Sequence, residues 1–309
     1  MNVPSIPEVL QSAGVTVFER GWLSANNVLI QGDGPSALVD SGYCTHAAQT
    51  LALLSQTLDE RPLDLLLNTH LHSDHCGGNA ALGTSYPGMT TLIPPGQAEA
   101  VRHWDAEALT YEATGQQCPR FSFQDLLIPG TTIRLGEHEW EIHGAKGHDP
   151  HSIVLFLPAA HLLLSADALW QNGFGVVFPE LEGVSAFDEV EETLNLIETL
   201  RPHTVIPGHG GAFQDVDPAL ARARTRLQQF RESPTKHLRH ALKVLIKFKL
   251  LEWQTVTYPD FLSWAKATPY LARFMPDEPE QADDWLRQLL NELERSAALR
   301  QNGLQIFNA

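Results

Sequence analysis

His70, His72, Asp74 and His75 fall within the run Asn68-Thr69-His70-Leu71-His72-Ser73-Asp74-His75-Cys76-Gly77-Gly78. Three imidazoles and a carboxylate in six positions offer four metal-type donors. A set rich in nitrogen and carboxylate oxygen suits zinc, iron or manganese better than calcium or magnesium. A divalent ion held this way acidifies a bound water and polarises an electrophile, which is the chemistry of hydrolysis. Along an extended backbone His70 and His72 share one parity and can point at the same ion. Asp74 and His75 follow in the turn and can reach a second. Gly77 and Gly78 let the chain bend sharply and pack closely there. The competing reading is a polar turn of solvated histidines. It is tested by whether further donors recur at strand ends downstream.

The elements around the motif supply that test. Leu65–Leu67 is short, apolar and strand-like, so a buried strand ends where the donors begin. Upstream, Val15–Phe18, Asn27–Ile30 and Ala37–Val39 read as strands separated by turn residues, and Asp40 ends the third. A helix is expected over 46–58, another opening at 78–82, and a strand at Thr90–Ile93. The stretch 96–130 is irregular and carries Trp104, Tyr111, Cys118, Phe121 and Phe123. Its length favours a lid over a pocket, with a satellite core as the alternative. Strand character returns at Thr132–Leu135 and 140–143, and Gly147-His148-Asp149-Pro150-His151 precedes the strand Ile153–Leu157. A strand over 161–165 runs into Asp167, whose carboxylate is costly to bury unless paired or metal-bound. The segment 188–200 is an amphipathic helix with Val190, Leu194, Ile197 and Leu200 on one face. After a strand at 204–206 comes Pro207-Gly208-His209-Gly210-Gly211. Donors therefore recur at three later junctions.

Over about residues 15–215 the motifs resemble those of the metallo-beta-lactamase superfamily. The resemblance implies an α/β fold, a four-layer αββα sandwich. It implies His70, His72 and His148 on one metal and Asp74, His75 and His209 on the other, with Asp167 shared. Asp40 matches an Asp that supports the metal site from behind its ligands. The cofactor implied is two divalent metal ions, zinc first, with iron or manganese as alternatives. Two positions depart from the usual pattern: Lys146 stands where a proline precedes Gly-His, and Ala166 where a glycine precedes the shared Asp. A shared Asp implies the ester, thioester, lactone and nucleic-acid hydrolases of the superfamily rather than its beta-lactamases. The expected reaction is attack of a metal-bound hydroxide on the substrate, with Asp74 also holding and orienting the nucleophile as a catalytic residue. Trp170, Phe174, Phe178 and His151 are the candidates for a substrate pocket. Cys76 is expected to be a buried apolar residue rather than a nucleophile.

The chain of 309 residues, 43% hydrophobic and 19% charged, has the composition of an ordinary soluble globular protein, long enough for a large domain plus a small one. Residues 1–10 lack the basic start and apolar run of a signal peptide, and no stretch is long enough to span a bilayer, so a cytoplasmic protein is expected. Three cysteines do not build a disulfide framework. With 21 basic and 37 acidic side chains the net charge is −16, which disfavours polyanion binding by the whole surface. Between 222 and 249, however, nine Lys or Arg face one acid, Glu232. That run is either a solvated helix face or a docking surface for an anionic substrate or partner.

The domain division is placed at 1–215 and 216–309. The second part reads as helices at 218–230, 237–251, 258–265 and 282–296, closed by a hairpin with Asn302-Gly303 at its turn. It resembles the small winged-helix domain appended to some hydrolases of the superfamily. Its last helix is acidic and would repel phosphates, so packing, homodimer formation or narrowing of the active-site mouth are the roles expected. Superfamily hydrolases of glutathione thioesters use basic residues in a C-terminal helical region. The leading expectation is a dinuclear metal hydrolase of a small ester, thioester or lactone. The alternatives are a metal-dependent ribonuclease and a non-catalytic binding protein on a hydrolase fold.

Overall fold

The computed structural model describes residues 4–309. Helix α1 (Ile6–Ser12) leads into β1 (Val15–Phe18), β2 (Asn27–Ile30) and β3 (Ala37–Val39). Then follow α2 (Ala47–Leu58), β4 (Leu65–Leu67), α3 (Ser73–Cys76), α4 (Asn79–Ser85), β5 (Thr90–Ile93), α5 (Ala98–His103) and β6 (Asp125–Leu126). These six strands form one sheet in chain order, antiparallel from β1 to β3 and parallel from β3 to β6. The second half runs β7 (Thr132–Leu135), β8 (His138–Gly144), β9 (Ile153–Leu157), β10 (Leu162–Ala166), α6 (Phe178–Glu182), α7 (Phe187–Leu200) and β11 (Thr204–Pro207). Its sheet has the order β11-β10-β9-β8-β7, with β10 and β11 parallel.

Alternation of side chains along buried strands builds the layers. Leu29, Leu38 and Leu66 meet Leu54 and Leu58 of α2 and Leu82 of α4 on one face of the first sheet. Their neighbours Ile30, Val39 and Leu67 turn the other way, onto Trp140, Ile142, Leu155, Leu164 and Ile206 of the second sheet. The far face of that sheet, Val154, Phe156, Leu163 and Val205, packs on Val190, Leu194 and Ile197 of α7. The result is the expected helix–sheet–sheet–helix sandwich.

The chain continues through α8 (Val216–Glu232), α9 (Pro234–Trp253), β12 (Thr255–Thr257), α10 (Tyr258–Ala267), α11 (Pro269–Ala272), α12 (Pro279–Arg295), β13 (Leu299–Asn302) and β14 (Gln305–Asn308). Helix α8 buries Ala219, Leu220, Ala223 and Leu227 in the same core as α7. Helices α9, α10 and α12 share a separate core with Leu299 and Ile306. Helix α9 also meets the first part of the chain, with Ala241 and Leu245 against Val176 and Leu181 and Phe248 against Leu23 and Tyr43. Three helices with the antiparallel sheet β12-β14-β13 are consistent with a winged-helix-like unit. The hairpin turn is Gly303-Leu304, because Asn302 stays in the ladder opposite Gln305. Gly303, with φ of +60°, takes the first central position. Among the described residues no helix is long and apolar enough to cross a membrane.

The basic run acquires partners from neighbouring elements. Arg224 pairs with Glu198, Arg231 with Asp188 and Glu191, and Arg239 and Lys243 with Glu292 of α12. Within this region the His237 ring stands edge-on to Phe187 and Phe230, and its Nε2 accepts the Val177 N–H at 3.2 Å. Burial pushes the His237 pKa down to about 4. The unfolded chain therefore takes up a proton below the usual histidine pKa of about 6.5 that the native state refuses. Stability is unaffected above that pH and falls as pH drops from about 6.5 to 4, by about 2–3 kcal/mol from this group. Denaturant midpoints at pH 7.5 and 5 test this: His237→Gln, which retains an acceptor, has the smaller acid loss. An unchanged difference between the two pH values removes His237 as the cause.

Candidate metal centre and its cavity

Strand β4 delivers the central motif to the rim of the first sheet. Past Leu67 the chain bends at Thr69 and His70 and is extended again at His72, which caps α3 with ψ of 148°. His70 turns its Nε2 and His72 its Nδ1 to one point, 3.0 Å apart. His148, on the loop after β8, adds Nε2 at 2.8 Å from His72 Nδ1 and 3.3 Å from His70 Nε2. The His148 Nδ1–H donates to the Val176 carbonyl at 2.5 Å, which leaves Nε2 free for the cluster. Burial pushes the His148 pKa down to about 4 and holds His70 well below the usual imidazole range. Both rings are therefore neutral near pH 7, the form that donates a lone pair.

A second cluster gathers Asp74, His75, Asp167 and His209, whose donor atoms lie within 4.8 Å of one another. His209 Nε2 lies 3.1 Å from Asp74 Oδ2 and 3.8 Å from Asp167 Oδ1. Asp167 leaves the end of β10 and spans both groups: Oδ1 is 3.5 Å from His75 Nε2, while Oδ2 is 3.4 Å from His148 Nε2. Ala166, with φ of +46°, holds a left-handed backbone before it, the conformation for which glycine is the usual residue. Gly208 is needed for space, since a Cβ there would lie 2.3 Å from Asp167 Oδ1.

Asp40 closes the second cluster from behind. It sits at φ of +59° at the end of β3, and its carboxylate accepts the Thr69 N–H at 2.9 Å and the Thr69 hydroxyl at 2.8 Å. The same carboxylate takes the His75 Nδ1–H at 2.7 Å, so Nε2 faces the cluster. Burial alone would push the His75 pKa down, but Asp40, Asp167 and Asp74 together hold it well above the usual range. Asp40→Asn keeps the size of the side chain and weakens that hydrogen bond. Its expected effect is a loss of metal affinity of roughly 10–100-fold, read by chelator competition. Wild-type affinity in the variant would count against this role.

The clusters open into a cavity of about 600 Å³. Trp170 and Phe178 line it. Phe174 and His151 do not: Phe174 is buried in the second-sheet core, edge-on to Phe230, and the His151 ring packs against Gly96. The turn at Asp149-Pro150 directs His151 away. In the stretch 96–130 the aromatics pack with Leu71, Cys76 and Ile93 as a satellite core, rather than as a lid. Thr110, Tyr111, Thr114 and Gln116 form the cavity wall. Cys76 is fully buried in that core.

Several site residues carried no signal in the sequence. Trp22 stacks on His209 with ring centroids 5.2 Å apart and 14° between planes, and Trp170 meets the same imidazole edge-on. Asn26 donates to the Pro207 and Gly210 carbonyls and so fixes the loop that carries His209. Asp149, which reads only as a turn residue, lies 3.7 Å from His72 Nε2. An acid next to a donor histidine was the one available hint.

The donor set fits a pair of divalent ions. Imidazole nitrogen and carboxylate oxygen are the donors that zinc, iron and manganese accept. His75 Nε2 is fully buried and has no hydrogen-bond partner among the described residues. Asp74, Asp167 and Asp40 gather around it, and the ion pairs of all three are with histidines. Such an arrangement is completed by cations.

A family model described as the metallo-beta-lactamase superfamily matches residues 20–209. A hydroxyacylglutathione hydrolase of Stenotrophomonas maltophilia is 32% identical over 159 residues, covering 49% of this chain and 48% of that protein. The chain thus spans about half the length of the first curated relative it matches. The lactamase-like protein notP of Aspergillus sp. is 24% identical over 81% of this chain and 70% of its own length. A solved metallo-beta-lactamase family protein from Thermus thermophilus superposes with a TM-score of 0.54 at 20% identity, covering 96% of this chain and 99% of that one.

Proposed function

As this chain belongs to the metallo-beta-lactamase superfamily, we propose that it is a dinuclear metal-dependent hydrolase of small acyl compounds: thioesters, esters or lactones. The observation that carries this reading is the Asp167 carboxylate, with one oxygen toward each of two donor clusters. His70, His72 and His148 would hold one ion, Asp74, His75 and His209 the other, and Asp167 both. Zinc leads, with iron or manganese as alternatives, and cytoplasmic location remains the expectation from composition. Bound divalent ions supply Lewis acidity and a water acidified to near neutral pH.

The chain's own residues do the rest. Asp74 lines the cavity and offers a carboxylate to orient the attacking water and accept its proton. Asp40 and the Val176 carbonyl fix the rings of His75 and His148, so no reorganisation is needed during reaction. Trp22, Trp170 and Phe178 form an apolar wall against which an acyl or leaving group can pack. The hydroxyacylglutathione hydrolase relatives support a thioester as the first substrate to try.

The ribonuclease alternative drew on the basic run. Six of its nine cations are ion-paired, which weakens that support. The test is a panel of thioesters, esters, lactones, phosphodiesters and RNA, with metal analysis of the same preparation. Turnover of an acyl compound that stops on chelation and returns with metal is expected. Cleavage of RNA alone would overturn the proposal.

A further inference from the structure

The three cysteines, far apart in the sequence, gather beside the metal motif, and the hydrolytic chemistry above leaves them unused. Cys76 ends α3 and is fully buried, while Cys118, on the stretch 96–130, is half-buried against the same satellite core. Their sulfurs face each other at 3.8 Å. Cys44 is half-buried too, but its Sγ donates to the Gln117 carbonyl at 3.5 Å. The segment that carries Cys118 is tied down next to it. The Gln117 N–H donates to the Tyr43 hydroxyl at 3.0 Å, and its Nε2 donates to Glu252 of α9 at 2.7 Å.

The facing thiols adjoin donors of both clusters. Cys76 shares a peptide bond with His75. Its S–H donates at 3.4 Å to the carbonyl of Leu71, the residue between His70 and His72. Gln116, two residues before Cys118, accepts a hydrogen bond from Ser73, the residue between His72 and Asp74. A disulfide holds its sulfurs at about 2.05 Å, so bond formation draws this pair together by about 1.7 Å. It also removes the Cys76 S–H, leaving the Leu71 carbonyl with the Tyr111 hydroxyl at 3.0 Å. A packed core transmits such a shift rather than absorbing it. The turn that presents His70, His72, Asp74 and His75 is what lies next to it.

We propose that Cys76 and Cys118 are a reversible thiol–disulfide pair, closed by a peroxide and reopened by a small thiol, whose closing weakens the hold of the adjoining donors on metal. The consequence for metal rests on the dinuclear reading; the pair itself does not. Cys118 is the sulfur the oxidant reaches, and buried Cys76 is the one that resolves. The Cys118 sulfur takes one oxygen of hydrogen peroxide, giving a sulfenic acid and one water. The Cys76 sulfur then displaces that hydroxyl, which leaves with the Cys76 proton as a second water. Two thiols have lost two electrons and one peroxide has gained them. Added thiol reverses the step by exchange and leaves as its own disulfide.

The test uses zinc-loaded full-length protein as wild type, Cys118→Ser and Cys44→Ser, each checked for an unchanged melting transition. Each is treated with hydrogen peroxide and then with dithiothreitol. Cross-links are mapped by mass spectrometry of unreduced peptides, and zinc affinity is read by chelator competition. Wild type and Cys44→Ser are expected to form the Cys76–Cys118 bond and to lose zinc affinity by roughly tenfold, recovered with dithiothreitol. Cys118→Ser keeps its affinity through the same treatment. The map on wild type stands whether or not a variant folds. No cross-link overturns the proposal, as does a cross-link through Cys44. So does a Cys76–Cys118 bond that leaves zinc affinity unchanged, or an equal loss of affinity in Cys118→Ser. A Cys76–Cys118 bond formed by a chain that takes up no metal keeps the thiol pair and removes the metal-centre reading instead.

Discussion

His72→Ala is expected to lose metal and activity together. The variant removes Nδ1, the atom nearest to His148 Nε2 in the three-imidazole cluster. Two neutral nitrogens remain there with one oxygen of Asp167, a carboxylate that also faces the second cluster, so the first ion is held more weakly. Metal content falls from two equivalents to one or less. Turnover falls at least about a thousandfold, roughly 4 kcal/mol of barrier, because the Lewis acid and the acidified water go together. His72 is half-buried at the cavity rim, so the substitution leaves the packed core intact. His143→Ala serves as control: that ring, on β8, pairs with Glu141 away from the site, and its loss should alter neither metal content nor rate. Full-rate turnover by a metal-free His72→Ala protein would sink the mechanism.

Removing the metal from the unaltered chain is expected to cost stability as well as activity. The ions would bind only where seven side chains converge, and the unfolded chain does not bring them together. Binding at a thousand times Kd then contributes about 4 kcal/mol to the native state. For a chain of this size that corresponds to a fall in Tm of roughly 6 °C on chelation, reversed by adding zinc, iron or manganese. The physical source is the buried acid cluster. Asp167 is held well below the usual carboxylate range against its own burial, chiefly by the imidazoles of His75, His209 and His148. Without ions, Asp40, Asp74 and Asp167 have histidines alone as their ion-pair partners among the described residues. An identical melting transition with and without chelator, in protein shown to bind two metal equivalents, would mean that the clusters are already balanced without cations.

Donor types and their positions at strand ends were legible because each depends on short-range pattern, whereas the layered fold was implied by the family that those motifs resemble. Buried strands alternate side chains with period two, so Leu65–Leu67 and its counterparts fixed which residues reach the sheet rim. Amphipathic helices showed their apolar stripes in the same way. The charge balance of the 222–249 run was only partly legible: four of its six paired cations meet acids on α7 and α12, tens of residues away in the chain. The 96–130 stretch turned its rings inward because Leu71 and Ile93 offered apolar surface that the sequence could not place beside them.

Residue types and their spacing set the chemistry available: which atoms can donate, in what number, and at the ends of which strands. Folding settled which way each donor points. It set Asp40 behind His75, turned Phe174 and His151 out of the cavity, and stacked Trp22 on His209. Ligand identity is a matter of composition and spacing along one dimension. Orientation, burial and charge pairing come from packing between segments far apart in the chain, and no local pattern encodes those distances.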